Sequence, residues 1–293
     1  MNEVVKAHIM ILIATILIAG SFLASQKLSS VIDPISLTLL RFILALTLLS
    51  PIIIFSKNKL KKVFKVIPKA MIVSLVYTLY FIGMLKALED TTVLNTGAIY
   101  TLVPLMTAIL CIFFFKEKIP LKQLSIYLLG IISTCIVVFN ADLKLFLTLS
   151  LNKGDIVFLL ASLSMALYPI FIKLLYSKKD ELIILVFATL IGGIVWMALT
   201  MQILNIPYEW NKLNLNHFYY LLYLVIGTTI ITLFLYQKAT LVLGAKKVMA
   251  YIYLSPAMVA IIMFLFENET ISLGVLGGIL LSTFATVIIL RQK

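Results

Sequence analysis

Apolar runs long enough to cross a bilayer recur roughly every thirty residues from one end of the chain to the other, parted by short polar or charged segments. A hydrocarbon core about 30 Å thick needs about 20 apolar residues per spanning helix. The pattern predicts ten such spans: 7–27, 34–56, 68–88, 92–115, 121–140, 154–176, 181–204, 217–238, 246–266 and 272–290. Several ends carry local signals. Asp33-Pro34 sets a capping carboxylate before a proline in the first helical turn. Gly154-Asp155 opens the sixth span, and Asn205-Ile206-Pro207 follows the seventh. Pro104, Pro169 and Pro256 lie inside spans, where each removes one backbone hydrogen bond and permits a kink. The first run is longer than a signal-peptide core and many spans follow it, so it reads as a retained helix.

Composition agrees with this pattern. Hydrophobic residues make up 62% of the 293 and charged residues 12%, with a mean hydropathy of +1.14. A soluble domain of that make-up could not cover its surface with polar groups. The reading is an all-α membrane protein with no room for a soluble domain. A net charge of +12 would suggest nucleic acid in a soluble chain. Here the basic residues fall between the spans, where they report topology. With the N-terminus inside, eighteen basic residues lie on the inner side, Lys178, Lys179 and Lys293 among them. The outer side keeps five: Lys27, Lys86, Lys144, Lys153 and Lys212. That split places both termini in the cytoplasm. Cys111 and Cys135 fall inside apolar runs, so neither a disulfide framework nor a metal site is expected, and no cofactor is called for.

The chain also repeats. At an offset of 152, Pro104 falls on Pro256, Glu117 on Glu269, Ala87 on Ala239 and Lys86 on Lys238. At 146, Lys27 falls on Lys173 and Phe22 on Tyr168. Two halves of five helices follow, 1–147 and 148–293. Five is odd, so the second half must lie inverted relative to the first, an arrangement that puts a solute site near the midplane between halves. The expected centre is a wet, tyrosine-rich gap.

In order along the first half stand Gly20-Ser21-Phe22-Leu23-Ala24, Pro34, Arg41, the run Ala87 to Thr92, Pro104, and Glu117 with Ile119-Pro120. The second half has Gly154-Asp155, Ala166-Leu167-Tyr168, Ala239, Pro256, Glu269 and Gly277-Gly278. Together these residues resemble the drug/metabolite transporter superfamily, specifically its EamA-type ten-helix members. Ala19 and Met165 stand where that family usually has tryptophan. The resemblance implies movement of small metabolites by alternating access, with helices 1, 3, 4, 6, 8 and 9 around the cavity and 5 and 10 peripheral.

Candidate residues each have a plainer alternative. Arg41 lies seven residues past Pro34, about 10 Å into the span at 1.5 Å per residue. It is either an anion contact or a structural arginine bonding helix-end carbonyls. Lys27, Lys86, Lys173 and Lys238 end helices, as snorkelling anchors or as charged gates. Glu117 and Glu269 read as loop and helix-end residues. The expected polar lining comprises Ser21, Ser25, Gln26, Tyr77, Tyr80, Asn95, Tyr100, Thr101, Tyr168, Thr228, Thr229, Thr232, Tyr236, Tyr251 and Tyr253. Tyrosines give apolar walls with a hydrogen-bonding tip, which suits zwitterionic or amphipathic solutes. The alternative is hydrogen-bonded glue between helices. All twelve acidic residues and both histidines fall near span ends. Transport without a dedicated proton carrier is therefore expected, by facilitated diffusion or exchange. The lead function is a bacterial cytoplasmic-membrane carrier of amino acids or related metabolites, working as a monomer or weak homodimer with a small-molecule substrate and the lipid bilayer as its partners. A flippase for a lipid-linked intermediate, a lipid-modifying polytopic enzyme and a channel are the competing readings.

Overall fold

The structure is a computed structural model that describes residues 2–177 and 180–292. Lys178, Lys179 and Lys293 lie outside the described residues, as do the side chains of Phe22, Leu23 and Ser29. Among the described residues, ten helices are long and apolar enough to cross a membrane. They are α1 Glu3–Leu28, α2 Pro34–Ile54, α3 Lys57–Ala87, α4 Val93–Phe115, α5 Leu121–Val138, α6 Lys153–Leu175, α7 Leu182–Ile203, α8 Leu215–Leu243, α9 Ala245–Phe266 and α10 Leu273–Arg291. Each of the ten matches one predicted span. The segment between α5 and α6 carries one further short helix, Leu143–Leu147, capped by Asp142.

Two boundaries differ from the sequence pattern for identifiable reasons. α3 begins at Lys57 rather than 68, because Ser56 caps its first turn and the lysine-rich stretch continues the helix beyond the apolar run. Val63 within that stretch is buried, and Lys62 forms an ion pair with Glu181. α8 runs past Lys238 to Leu243, where Gly244 at φ +85° supplies a backbone conformation that side chains disfavour.

The prolines act unequally. α4 is interrupted after Tyr100 and resumes at Val103, with Pro104 in the first turn of the resumed helix. α9 is interrupted by a 3₁₀ turn over Tyr251–Leu254 and resumes at Ser255, with Pro256 in the same place. Pro169, by contrast, sits inside the continuous helix α6. The two breaks fall at matching points of the two halves, the offset at which the sequence repeats.

Packing follows the same exchange of halves. α3 lies along α6, and α8 along α1; α4 touches α6, and α9 touches α1; α5 pairs with α10. The α3 seams are close because small residues meet there. A Cβ added at Gly83 would come within 2.7 Å of Ala161 on α6, and one at Gly192 of α7 within 2.1 Å of the Ser74 hydroxyl. Polar contacts sort into two ends. Lys62–Glu181, Lys238–Glu3 and Lys173–Glu117 gather at one. Ser36 with Tyr208 and Asn95 with Ser150 gather at the other, where Ala141 also lies against Gly274. This is the sorting that ten successive crossings require. Large apolar side chains such as Phe113, Leu160 and Phe284 are left exposed on the flanks, where hydrocarbon would meet them.

Candidate functional site

The centre is built around Arg41. α2 carries it into the bundle, where it is 8% exposed. Its Nη2 donates to the hydroxyls of Thr228 at 3.0 Å and Thr229 at 3.2 Å, on α8 of the opposite half. Local backbone geometry makes this double contact possible. Tyr223–Ile231 of α8 is a π-helical stretch. There both threonine hydroxyls donate to the single carbonyl of Leu224, at 3.0 and 2.9 Å. The widened turn thus brings consecutive hydroxyls side by side, and their lone pairs face one guanidinium nitrogen. Such wide turns are rare and concentrate at functional positions. The Arg41 Nε is buried and has no hydrogen-bond partner among the described residues.

Beside the guanidinium lies an aromatic cluster drawn from both halves. Tyr77 on α3 sits 4.9 Å, ring to ring, from Tyr168 on α6 and stacks on Phe42 at 6.2 Å. Tyr80, one turn along α3, stacks on Tyr100 at 5.7 Å, and Phe158 closes against both at 6.4 Å. Tyr236 of α8 joins the same cluster. The break in α4 follows directly on Tyr100, so the interrupted helix ends at the cluster. Among the described residues, the Tyr168 hydroxyl and Oε1 of Gln237 are buried without a well-formed hydrogen bond. Tyr168 and Tyr236 are buried, while Tyr77, Tyr80 and Tyr100 are only partly buried, at the place where the sequence suggested a wet gap.

Of the remaining candidates, Thr101 and Thr232 adjoin this centre and the others lie apart from it. Asn95 donates through Nδ2 to both carboxylate oxygens of Asp155, at 3.2 and 3.0 Å, and to the Ser150 carbonyl at 3.1 Å. Thr91 and the Asn152 amide complete the set around that buried acid. Thr101 donates to the Ala98 carbonyl at the α4 break, and Thr232 to the Thr228 carbonyl. Tyr251 meets His8 near the end of α1, at 3.0 Å. Tyr253 is buried between α5 and α9, donating to the Tyr127 carbonyl at 3.1 Å. Ser21 bonds back to Ile18 at 2.6 Å; Ser25 is half-buried and Gln26 exposed toward the end of α1.

The four lysines expected at helix ends are distributed over both faces, Lys238 five residues short of the end of α8. Lys86 pairs with Glu89 at 2.8 Å and Lys238 with Glu3 at 3.4 Å. Lys173 reaches Glu117 at 3.3 Å and lies 4.0 Å over the Phe115 ring. Lys246 holds the other oxygen of Glu117 at 2.6 Å. Partial burial pushes the Glu117 carboxyl up, but the Lys246 hydrogen bond and the charges of Lys246 and Lys173 outweigh it and hold it below the usual carboxylate range. Lys27 is exposed, and among the described residues it has no ion pair with Glu269, the repeat partner of Glu117. A hollow of about 340 Å³ opens beside Glu117, Lys173 and Lys246, and one of about 240 Å³ beside Asp33, Lys86 and Glu89 at the other end. None of the central tyrosines lines either hollow.

Sequence reasoning passed over three parts of this arrangement. Phe42 and Phe158 carry no signal that separates a cavity wall from ordinary core. Gln237 is hidden one residue from Lys238. Glu117 was legible only as a lone acid among lysines.

Ten crossing helices, two of them broken at matching points and one of those breaks ending at the polar and aromatic centre, form a multi-pass membrane transporter fold of two repeated halves. The chain belongs to the EamA-like transporter family, whose sequence model matches residues 5–139 and again 152–291. An uncharacterized transporter of Bacillus subtilis (strain 168), YyaM, is 22% identical over 202 residues. That similarity covers 69% of this chain and 65% of the relative's length. A solved structure, described only as the crystal structure of a protein, superposes with a TM-score of 0.77 at 15% identity, covering 98% of this chain and 99% of that one. At that identity the likeness concerns the fold alone.

Proposed function

We propose that the protein is a secondary transporter that moves a small polar or zwitterionic metabolite, an amino acid or related compound, by alternating access. The observation that carries this reading is the central tyrosine cluster, to which the partly buried Tyr77, Tyr80 and Tyr100 come from one half and the buried Tyr168 and Tyr236 from the other. Rings contributed by both halves separate when the halves rock apart, so the same surfaces can face either side of the membrane in turn. Tyrosine faces accept cations and apolar groups, and their hydroxyls accept polar ones.

In this reading the repeats are 1–147 and 148–293, and the chain sits in a bacterial cytoplasmic membrane with both termini inside, as its charge bias favours. The Lys173–Glu117–Lys246 set is then a latch on the cytoplasmic face. Lys27 and Glu269 are its counterparts outside, apart here and paired when the outer face closes. Exchange or facilitated diffusion fits the positions of the acids. Asp155, the buried one, is consumed by Thr91, Asn95 and Asn152 near the start of α6. The protein works as a monomer or weak homodimer and carries its solute chemically unchanged.

A thermal-shift screen of purified protein against amino acids, nucleotides and sugars tests the substrate class. A solute that binds the native state raises the melting temperature by linkage. Amino acids are expected to shift it and to be taken up by proteoliposomes, with uptake indifferent to an imposed pH gradient at fixed voltage. Shifts confined to nucleotides or sugars would refute the assignment, and uptake that scales with the pH gradient would refute the mode.

A further inference from the structure

The hollow of about 340 Å³ beside Glu117 gathers cations from stretches far apart in the chain. Lys118 lies just past the end of α4, Lys173 in the last turn of α6, and Lys246 and Lys247 in the first turn of α9. A single carboxylate stands among them. Glu117 gives one oxygen to Lys173 and the other to Lys246. Lys118 and Lys247 form no ion pair among the described residues, and Lys247 is half-buried. Like charges held around one concavity repel, and a half-buried ammonium loses part of its hydration. A corner in the backbone imposes this crowding. Gly244 at φ +85° ends α8 and starts α9 so close to α6 that a Cβ there would stand 3.8 Å from Nζ of Lys173. Topology alone asks only for lysines somewhere on a face, as in the exposed stretch 57–69. It does not ask for them around a hollow. Nor does the repeat carry them: 152 residues away, Thr270, Leu94 and Asn95 stand for Lys118, Lys246 and Lys247.

We propose that this hollow is a binding site for a phosphate group. Lysine is a point-charge ligand for phosphate, and several lysines around one space suit an oxyanion that spreads its charge over several oxygens. A lone carboxylate is already in place as Glu117, and the positive charge it leaves over calls for a stronger anion. The volume falls in the range of small-ligand sites, about 300–1,000 Å³. Gln123, 7% exposed, adds a polar group to the wall, and Leu243 and Ile289 add apolar ones. The phosphate competes with Glu117 for Lys173 and Lys246, so the carboxylate holds the lysines when the site is empty. The same chemistry is offered by soluble phosphate and by the phosphodiester of an anionic lipid headgroup. None of the central tyrosines lines the hollow, so binding here is independent of which solute the protein carries.

The test uses purified full-length protein in a neutral detergent and needs no transport. One arm adds inorganic phosphate, with chloride and acetate at equal ionic strength as references. The other adds phosphatidylglycerol to the micelles, with phosphatidylcholine as reference. At least one phosphate probe should raise the melting temperature by several degrees over its reference. A rise with inorganic phosphate identifies a soluble ligand, and a rise with phosphatidylglycerol alone identifies a headgroup; either supports the site. The paired variant Lys118→Gln, Lys247→Gln should lose the rise. Lys61→Gln with Lys65→Gln, which removes the same charge from the exposed part of α3, should keep it. Glu117→Gln should bind the effective probe on the order of tenfold more tightly, because a competing negative charge is gone. No rise with either probe, an equal rise with acetate, a rise that survives in the Lys118–Lys247 pair, or unchanged affinity in Glu117→Gln would each overturn the proposal. Absence of amino-acid uptake would refute the transport reading and leave this site standing.

Discussion

Asn95 and Tyr168 are both polar residues within spans, and their surroundings give them opposite roles. Asn95 closes a network on buried Asp155, filling acceptor sites that would otherwise stand empty. Asn95→Ala should lower stability by about 1–3 kcal/mol, the cost of stranding a buried polar group, with apparent solute affinity unchanged. Chemical denaturation or thermal melting beside a competition assay checks both halves of that statement. Tyr168 presents a buried hydroxyl that makes no well-formed hydrogen bond among the described residues. Tyr168→Phe removes a desolvated group at no packing cost, so it should melt at or slightly above the wild type while solute uptake falls. A lower melting temperature with unchanged uptake would make Tyr168 ordinary core. Arg41 was legible as an intramembrane charge from its distance past Pro34. The π-helical turn that presents Thr228 and Thr229 to it was not, since such a turn has no compositional mark.

Pro104 and Pro256 show what the pattern of apolar runs conveys and where it stops. Their common offset was readable, and the structure turns it into two interrupted helices. The 57–67 extension of α3 was not readable, because a hydropathy window ends where lysines begin even when the helix continues. Backbone detail repeats as closely as the breaks do. Lys116 at φ 54° and Asn268 at φ 56° both take the left-handed conformation, and the following glutamates donate N–H bonds of 3.4 Å to Cys111 and Met263. Asparagine takes that conformation at lower cost than lysine. Lys116→Asn, which copies the second half, should stabilise the protein by about 1 kcal/mol in a melting experiment.

The latch at Glu117 can be tested with a native reporter. Cys111 is buried one turn before the α4 terminus, close to that carboxylate. In a protein whose other cysteine is Cys135→Ser, Glu117→Gln should speed labelling of Cys111 by an impermeant maleimide added to inside-out vesicles. Labelling at the wild-type rate would mean the ion pairs close nothing. The pH dependence has a definite sign. A carboxyl held below its ordinary value contributes its interaction above the unfolded value near 4.3 and loses it as pH falls through the lower, native one. The latch therefore holds through neutral and mildly acidic pH and opens only in strong acid.

Two five-helix halves that exchange contacts pairwise account for the breaks, the sorted ends and the shared aromatic centre together. The asymmetry between ends has the same origin. Lys173 and Glu117 are joined while Lys27 and Glu269 are not, as expected of one member of a pair of interconverting states. Substrate identity is the part least visible in the chain, because it depends on distances between rings on helices far apart in sequence. Counterflow measures the underlying claim most directly. Proteoliposomes are preloaded with unlabelled L-amino acids and diluted into a trace of labelled ones. A carrier that exposes one central site alternately gives a transient overshoot of internal label above the external concentration, and the overshoot is abolished when preload is omitted. Label that enters monotonically at the same rate with and without preload would contradict alternation at the tyrosine cluster.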